Sequence, residues 1–252
     1  MQKIYLLLFV ALLSLGIASC KKRLSFTPSG TSSFTIVNGL SGSDYLYTNF
    51  NGDKSNDQYY VSMRMINYGY SRFFNSYIGQ QDLGLYPATD TNGKALLRLG
   101  LDLELNSIHT LFLTGTIQDP DYVLTTDQLP HQPPADSTMG LRFINISKGS
   151  DPVSVNLAGQ ANGSEVGELP YKSVSAFKTY KAGLAVSSYT FEFRDKASGT
   201  LLGSCVVDGI NNDGSINAPN IRRGRNYTIA LMAVPGGSAA GRVLIIDEAA
   251  QI

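Results

Sequence analysis

Few side chains in this sequence are equipped for chemistry. There are two histidines, His109 and His131. A hydrolytic triad needs a nucleophile, a base and an acid that orients the base. His109 occupies a strand position that a second copy of the same pattern fills with Tyr227, which predicts packing or hydrogen bonding. His131 falls in a proline-rich spacer, where it is expected to be exposed. No Gly-x-Ser-x-Gly elbow, phosphate loop or dinucleotide glycine pattern is present, and no ligand cluster suits zinc. Apart from Cys20, the other cysteine is Cys205, in an apolar run that predicts a buried, inert thiol with no disulfide partner. The inventory predicts no catalytic residue, no cofactor and no resident metal. Two stretches space oxygen ligands as calcium loops do, namely Asp53, Ser55 and Asp57, and Asn211, Asp213 and Ser215. Both lack the later glutamate of an EF-hand loop, and Asx-rich stretches between strands serve as turns.

Tyrosine is unusually concentrated. Tyr45, Tyr47, Tyr59, Tyr60, Tyr68, Tyr70, Tyr77 and Tyr86 crowd one span together with Phe50, Phe73 and Phe74. A flat apolar ring with a polar tip suits a sugar or a protein surface. Strands also favour tyrosine for packing alone, and the absence of Trp weighs against carbohydrate. If the cluster is a binding face, Tyr59, Tyr60, Tyr68 and Tyr70 are its expected members.

The elements that position these residues are strands. Alternation of period two is clean over 99–105, 153–157 and 189–194, as a sheet with one covered face requires. Shorter apolar runs at 35–37, 111–113, 228–232 and 243–246 read as central strands. The pattern occurs twice. Asn38, Gly42, Ser43, Asp44, Asn49 and Gly52 match Asn145, Gly149, Ser150, Asp151, Asn156 and Gly159 at one constant spacing. Further matches pair Tyr77 with Tyr180, His109 with Tyr227, and Asp127 with Asp247. The shared Asp44 and Asp151 invite a catalytic reading, but Gly-Ser-Asp before a strand is ordinary turn chemistry, and the shared asparagines suit strand ends, where an amide satisfies backbone groups. The expected fold is all-β, with two tandem antiparallel β-sandwich domains, immunoglobulin-like or transthyretin-like, at 33–129 and 139–252. A proline-rich linker, 130–138, is expected to hold them apart semi-rigidly.

The N-terminus supplies an address. Residues 4–17 are apolar and too short for an ordinary membrane span, so 1–19 read as a secretory signal. Leu15-Gly-Ile-Ala-Ser-Cys20 resembles a bacterial lipobox, which implies cleavage before Cys20 and acylation of that residue. Lys21, Lys22 and Arg23 either assist the anchor electrostatically or simply begin a solvated tether over 20–32. The chain has no net charge and no basic stripe beyond that point, which argues against a nucleic-acid partner.

The second copy carries a fuller resemblance. Arg142-Phe-Ile-Asn145, the 151–159 strand, the Tyr180-Lys-Ala-Gly183 turn, the Tyr227-Thr-Ile strand and the closing Val-Leu-Ile-Ile-Asp247 are similar to the domain-of-unknown-function family 4397. That family is common in Bacteroidota lipoproteins, often as tandem copies. The resemblance implies a β-sandwich in the outer-membrane envelope and brings no activity. Asp136-Ser137-Thr138 resembles the O-glycosylation acceptor of the same phylum, at Ser137. The expected role is non-catalytic binding or adhesion, with a glycan or an envelope protein as partner and the membrane held through the lipid. The alternatives are a fimbrial or stalk subunit, assembled by strand donation after cleavage following an arginine such as Arg23, and a hydrolase of unknown substrate.

Overall fold

The computed structural model describes residues 30–50, 65–88, 94–233 and 241–248. Cys20, Asp53, Ser55, Asp57, Tyr59 and Tyr60 lie outside them.

Among the described residues, each copy of the pattern gives eight strands. In the first domain these are β1 (Thr31–Asn38), β2 (Tyr45–Asn49), β3 (Met65–Asn67), β4 (Ser71–Tyr77), β5 (Gly79–Pro87), β6 (Leu97–Leu103), β7 (Ile108–Gly115) and β8 (Pro120–Thr126). The second has β9 (Thr138–Ile146), β10 (Val153–Leu157), β11 (Val166–Leu169), β12 (Lys178–Lys181), β13 (Tyr189–Asp195), β14 (Leu201–Val207), β15 (Asn226–Met232) and β16 (Arg242–Asp247). The first domain pairs a β4-β1-β7-β8 sheet with a β3-β2-β5-β6 sheet, and the second pairs β12-β9-β15-β16 with β11-β10-β13-β14. Adding eight to each strand number converts one domain into the other, so the duplication extends to every pairing. Two pairs, β1 with β7 and β9 with β15, are parallel, and the rest are antiparallel. An immunoglobulin domain places ABED on one sheet and CFG on the other. Here the first strand sits between the fourth and the seventh, so the order differs from the immunoglobulin one.

Alternation fills each sandwich. Phe34, Ile36, Leu111 and Leu113 meet Leu46, Leu83, Leu85 and Leu99 in the first core. Leu141, Phe143, Ile229 and Leu231 meet Val153, Val155, Phe191 and Phe193 in the second. The intervening side chains of the same strands form a third core, with Val37 and Phe112 packed among Ile144, Ile146, Ala230, Met232 and Ile246. The outer face of one sheet therefore lies on the outer face of its counterpart, and the strands between are buried on both sides. The spacer does not hold the domains apart. It is strapped to the second domain, where Thr138 Oγ1 donates to Gln132 Oε1 at 2.9 Å and Asn226 Nδ2 donates to Pro130 O at 3.0 Å. β1 and β9 begin at Thr31 and Thr138, slightly inside the segments expected to be tether and linker.

Hydrogen bonds fix which residues are equivalent. Asn38 Nδ2 donates to Ile66 O at 3.0 Å while its Oδ1 accepts the Leu40 amide, and Asn145 does the same with Leu169 O and the Ser147 amide. Both asparagines thus close the turn after their strand. Gly42 and Gly149 share a φ of 82° in these turns, a backbone shape in which a side chain is strained. Asp44 and Asp151 are exposed beside them.

Candidate ligand-binding cleft

The first domain opens a cleft of about 190 Å³ where the ends of β2 and β4 approach the start of β5. Its described lining is Phe50, Phe74 and Tyr77 with Thr48, Asn49, Asn75, Ser76 and Gln81. The Phe50 ring stands 5.5 Å from Phe74 and 5.5 Å from Phe34, so the aromatic wall continues into the core and is held rigid by it. Tyr77 is 53% exposed and Ser76 is buried. Among the described residues of the lining there is no carboxylate, cation or imidazole. Such a surface stacks against an apolar face and exchanges neutral hydrogen bonds.

The equivalent place in the second domain is closed. β1 sets Ser32 opposite Ser76, and β9 sets Met139 opposite Tyr180, so Tyr180 occupies the position of Ser76. Tyr189 occupies the position of Gln81, since β2 sets Asn49 opposite Gly84 and β10 sets the matched Asn156 opposite Glu192, three residues beyond Gln81 and Tyr189 respectively. Tyr180 lies edge-on to Tyr189 and to Phe191, each at 5.4 Å, and its hydroxyl donates to Glu165 Oε2. Burial, and then Glu165, pushes the Tyr180 phenol far above its ordinary range. Two rings fill the volume that two polar side chains leave open in the first domain.

The other candidate residues are placed elsewhere. Tyr68 and Tyr70 lie at the opposite end of β4 from the cleft, beneath Arg242, whose guanidinium is 5.7 Å from one ring and 5.9 Å from the other. The Tyr68 hydroxyl donates to Ala233 O at 2.5 Å, so this side chain joins the two domains and is not a free ligand contact. Tyr70 is 58% exposed. Ser137 is half-buried with φ 49°, and Thr138 is already buried in β9, so the acceptor triplet is not in an open spacer. His109 is buried beside Phe34, bonded to Ser107 Oγ at 2.8 Å and Thr126 Oγ1 at 3.2 Å, and burial lowers its pKa. His131 is exposed. Burial pushes the Cys205 thiol up to about 12. Asp213 Oδ1 accepts the Ser215 amide at 2.8 Å, an Asx turn. Among the described residues, no group of three or more His, Cys, Asp or Glu side chains converges as metal ligands would.

The sequence reading missed a buried polar cluster between the domains. Arg142 Nη1 donates to Asp127 Oδ1 at 2.6 Å, Nη2 to Glu248 Oε1 at 3.0 Å and Nε to Thr228 Oγ1 at 2.7 Å. Thr110 Oγ1 lies 2.6 Å from Asp127 Oδ2 and 3.1 Å from Glu248 Oε2. Thr110 and Thr228 are equivalent, and so are Asp127 and Glu248, whose amides bond to the carbonyls of Ile108 and Asn226. One guanidinium therefore serves two carboxylates related by the duplication. Burial pushes the Glu248 carboxyl up, and the nearby Asp127 adds to this against the opposing pull of Arg142. Burial opposes the charge on Arg142 as well, but its two acidic partners outweigh that and hold it protonated. An arginine inside the apolar run 141–146 was the available signal, because a charge at a core position requires a partner. With the Arg142 and Asp127 side chains 7% and 0% exposed, the cluster is a joint and offers no access to a substrate.

Comparison of the chain with protein-family models finds no match, and comparison with curated proteins finds none.

Proposed function

We propose that the chain is a lipid-anchored cell-envelope protein whose first domain captures a ligand without transforming it. The observation that carries this reading is the cleft, whose described lining is made of aromatic and neutral polar residues, with no carboxylate, cation or imidazole among them. That lining suits a sugar unit, whose ring presents an apolar face for stacking and hydroxyls for amide partners, and a glycan is the preferred ligand over a protein surface. The envelope setting is supported by the apolar leader and the lipobox-like approach to Cys20. Multiple acyl chains on one residue hold a soluble domain stably at a bilayer, here the outer membrane. The likeness of the second copy to family 4397 of the Bacteroidota fits the same setting. A fimbrial subunit is less favoured, because among the described residues each domain already pairs eight strands of its own in two sheets.

The mature protein should bind members of a panel of neutral oligosaccharides by calorimetry. Replacing exposed Tyr77 and Gln81 by Ala should weaken that binding at least about tenfold, equivalent to about 1.4 kcal/mol, with circular dichroism unchanged. Undiminished binding in that variant would remove the cleft from consideration. Loss of Cys20, as Cys20→Ala, should move the protein from the membrane fraction to the soluble fraction.

A further inference from the structure

We infer that the end of the molecule formed by the 182–188 and 208–224 loops of the second domain rests on the surface of the bilayer that holds the anchor. The inference depends on the lipid-anchor reading of Cys20 and adds an orientation to it.

The contacts between the domains show that both point the same way. Arg142, midway along β9, meets Asp127 and Glu248 together with Thr110, near the start of β7. At the far end, Thr114 Oγ1 donates to Ile146 O at 2.6 Å, joining the ends of β7 and β9. β1 runs parallel to β7, so its first residues lie at the same end as the starts of β9 and β15. The described chain begins there, at Gly30, against the side chain of Leu105, which is 58% exposed. The ten Cα–Cα steps from Cys20 to Gly30 reach at most about 35 Å when fully extended, so this end cannot move far from an acylated Cys20.

The two loops that share this end are apolar at their tips. Asn220 Nδ2 ties them together, donating to Ala182 O at 3.1 Å and to Ile210 O at 2.9 Å. Leu184 is 70% exposed, Ile216 is 100% exposed on the turn closed by Ser215 and Ala218, and Ile221 is 48% exposed. No residue from 182 to 188 is charged, and Asp213 is the one charge from 209 to 221. Behind the tips Arg222 pairs with Asp208 and Arg225 with Asp247, so charge is largely balanced. Contact with lipid therefore comes from apolar insertion at the headgroup level, and attraction to anionic lipid plays little part. Projecting aliphatic side chains on loop tips with one charge between them are poorly suited to water and well suited to that boundary.

The test uses the full acylated protein in vesicles of phosphatidylethanolamine and phosphatidylglycerol. A polarity-sensitive dye is attached at Ile216→Cys, or at Asp151→Cys in the β9–β10 turn at the opposite end, in a chain whose half-buried Cys205 is replaced by Ser. At position 216 the dye should shift to the blue and lose most of its emission to lipids carrying a quencher in the upper acyl chain. At position 151 it should do neither. Protein that floats with the vesicles while the dye at 216 stays unquenched overturns the docking and leaves the anchor intact. A blue shift at 216 that grows with protein density and ignores the quencher means contact with a second copy, and also overturns it. Protein that fails to float overturns the anchor reading, and the orientation with it.

Discussion

The two domains share every strand pairing, yet one of them is open where the other is shut. The difference lies in two positions on facing strands, Ser76 and Gln81 in the first domain and Tyr180 and Tyr189 in the second. A sandwich edge can thus be finished in two ways. Aromatic rings close it with core-like packing, or small polar side chains leave a pocket whose walls are still held by the core. A second asymmetry lies at the joint, where Arg142 occupies the position of Thr35. The duplication supplied matching acids, Asp127 and Glu248, and matching threonines, but only one cation between them. The joint otherwise resembles a two-fold dimer interface built inside one chain, with Val37 facing the role of Ile144 and Phe112 that of Ala230.

The largest effect is expected from making that joint symmetric. Arg142→Thr gives both domains the same residue and leaves two buried carboxylates facing each other without a cation. Breaking a buried ion pair from one side costs about 3–5 kcal/mol. Urea unfolding followed by circular dichroism should show a midpoint lowered accordingly. A loss below about 1 kcal/mol would mean that the cluster is wetter or looser than its burial implies.

Opening the second domain should come next. Tyr180→Ser with Tyr189→Gln copies the first domain's residues into the second and removes two rings from a packed edge. Large aromatic truncations cost about 3–5 kcal/mol in full cores, and these rings are half-buried, so about 2–4 kcal/mol is expected from the same urea measurement. If stability hardly changes, Tyr180 and Tyr189 do not plug the edge and the comparison between the domains fails.

The sandwich class was legible because alternation and turn chemistry are local properties. The runs at 111–113 and 228–232 were also readable as strands buried on both faces, although nothing local revealed that the second cover would be the other domain. The cleft was hidden by one residue of register. Sequence similarity pairs Tyr77 with Tyr180, whereas the ladders pair Ser76 with Tyr180 and Tyr77 with Lys181. Because strand side chains alternate, that slip moves a tyrosine from the inside of one domain to the outside of the other. The same slip pairs Asp127 with Asp247 by sequence and with Glu248 by hydrogen bonding, which concealed the shared arginine.

Closing the first domain is the converse experiment and should affect binding more than folding. Ser76→Tyr with Gln81→Tyr places the second domain's rings in the cleft, at a packing cost of about 1 kcal/mol or less if the space accepts them. Oligosaccharide binding by the mature protein should disappear while the unfolding midpoint barely moves. Retained binding would place the ligand elsewhere, with exposed Tyr70 the next side chain to test.

The smallest effect should come from pH and concerns the joint alone. The Glu248 carboxyl is pushed above its ordinary range, first by burial and then by Asp127, against the pull of Arg142 and Thr228. A group whose folded pKa exceeds its unfolded value binds its proton more tightly when folded. Its contribution is therefore complete below the unfolded pKa and fades as pH rises through the folded one. Other carboxylates oppose this trend, since partners hold those of Asp121, Glu192 and Asp195 below their usual range, and their contribution fades instead as pH falls. The comparison must be made between the wild type and Glu248→Gln, which keeps an acceptor for Arg142 but cannot ionise. The two proteins should be closest in stability near about pH 4, with the wild type falling behind the variant toward about pH 8. A wild type that gains on the variant over that range would mean that the pull of the guanidinium outweighs burial, and that Arg142 holds two charged carboxylates at once.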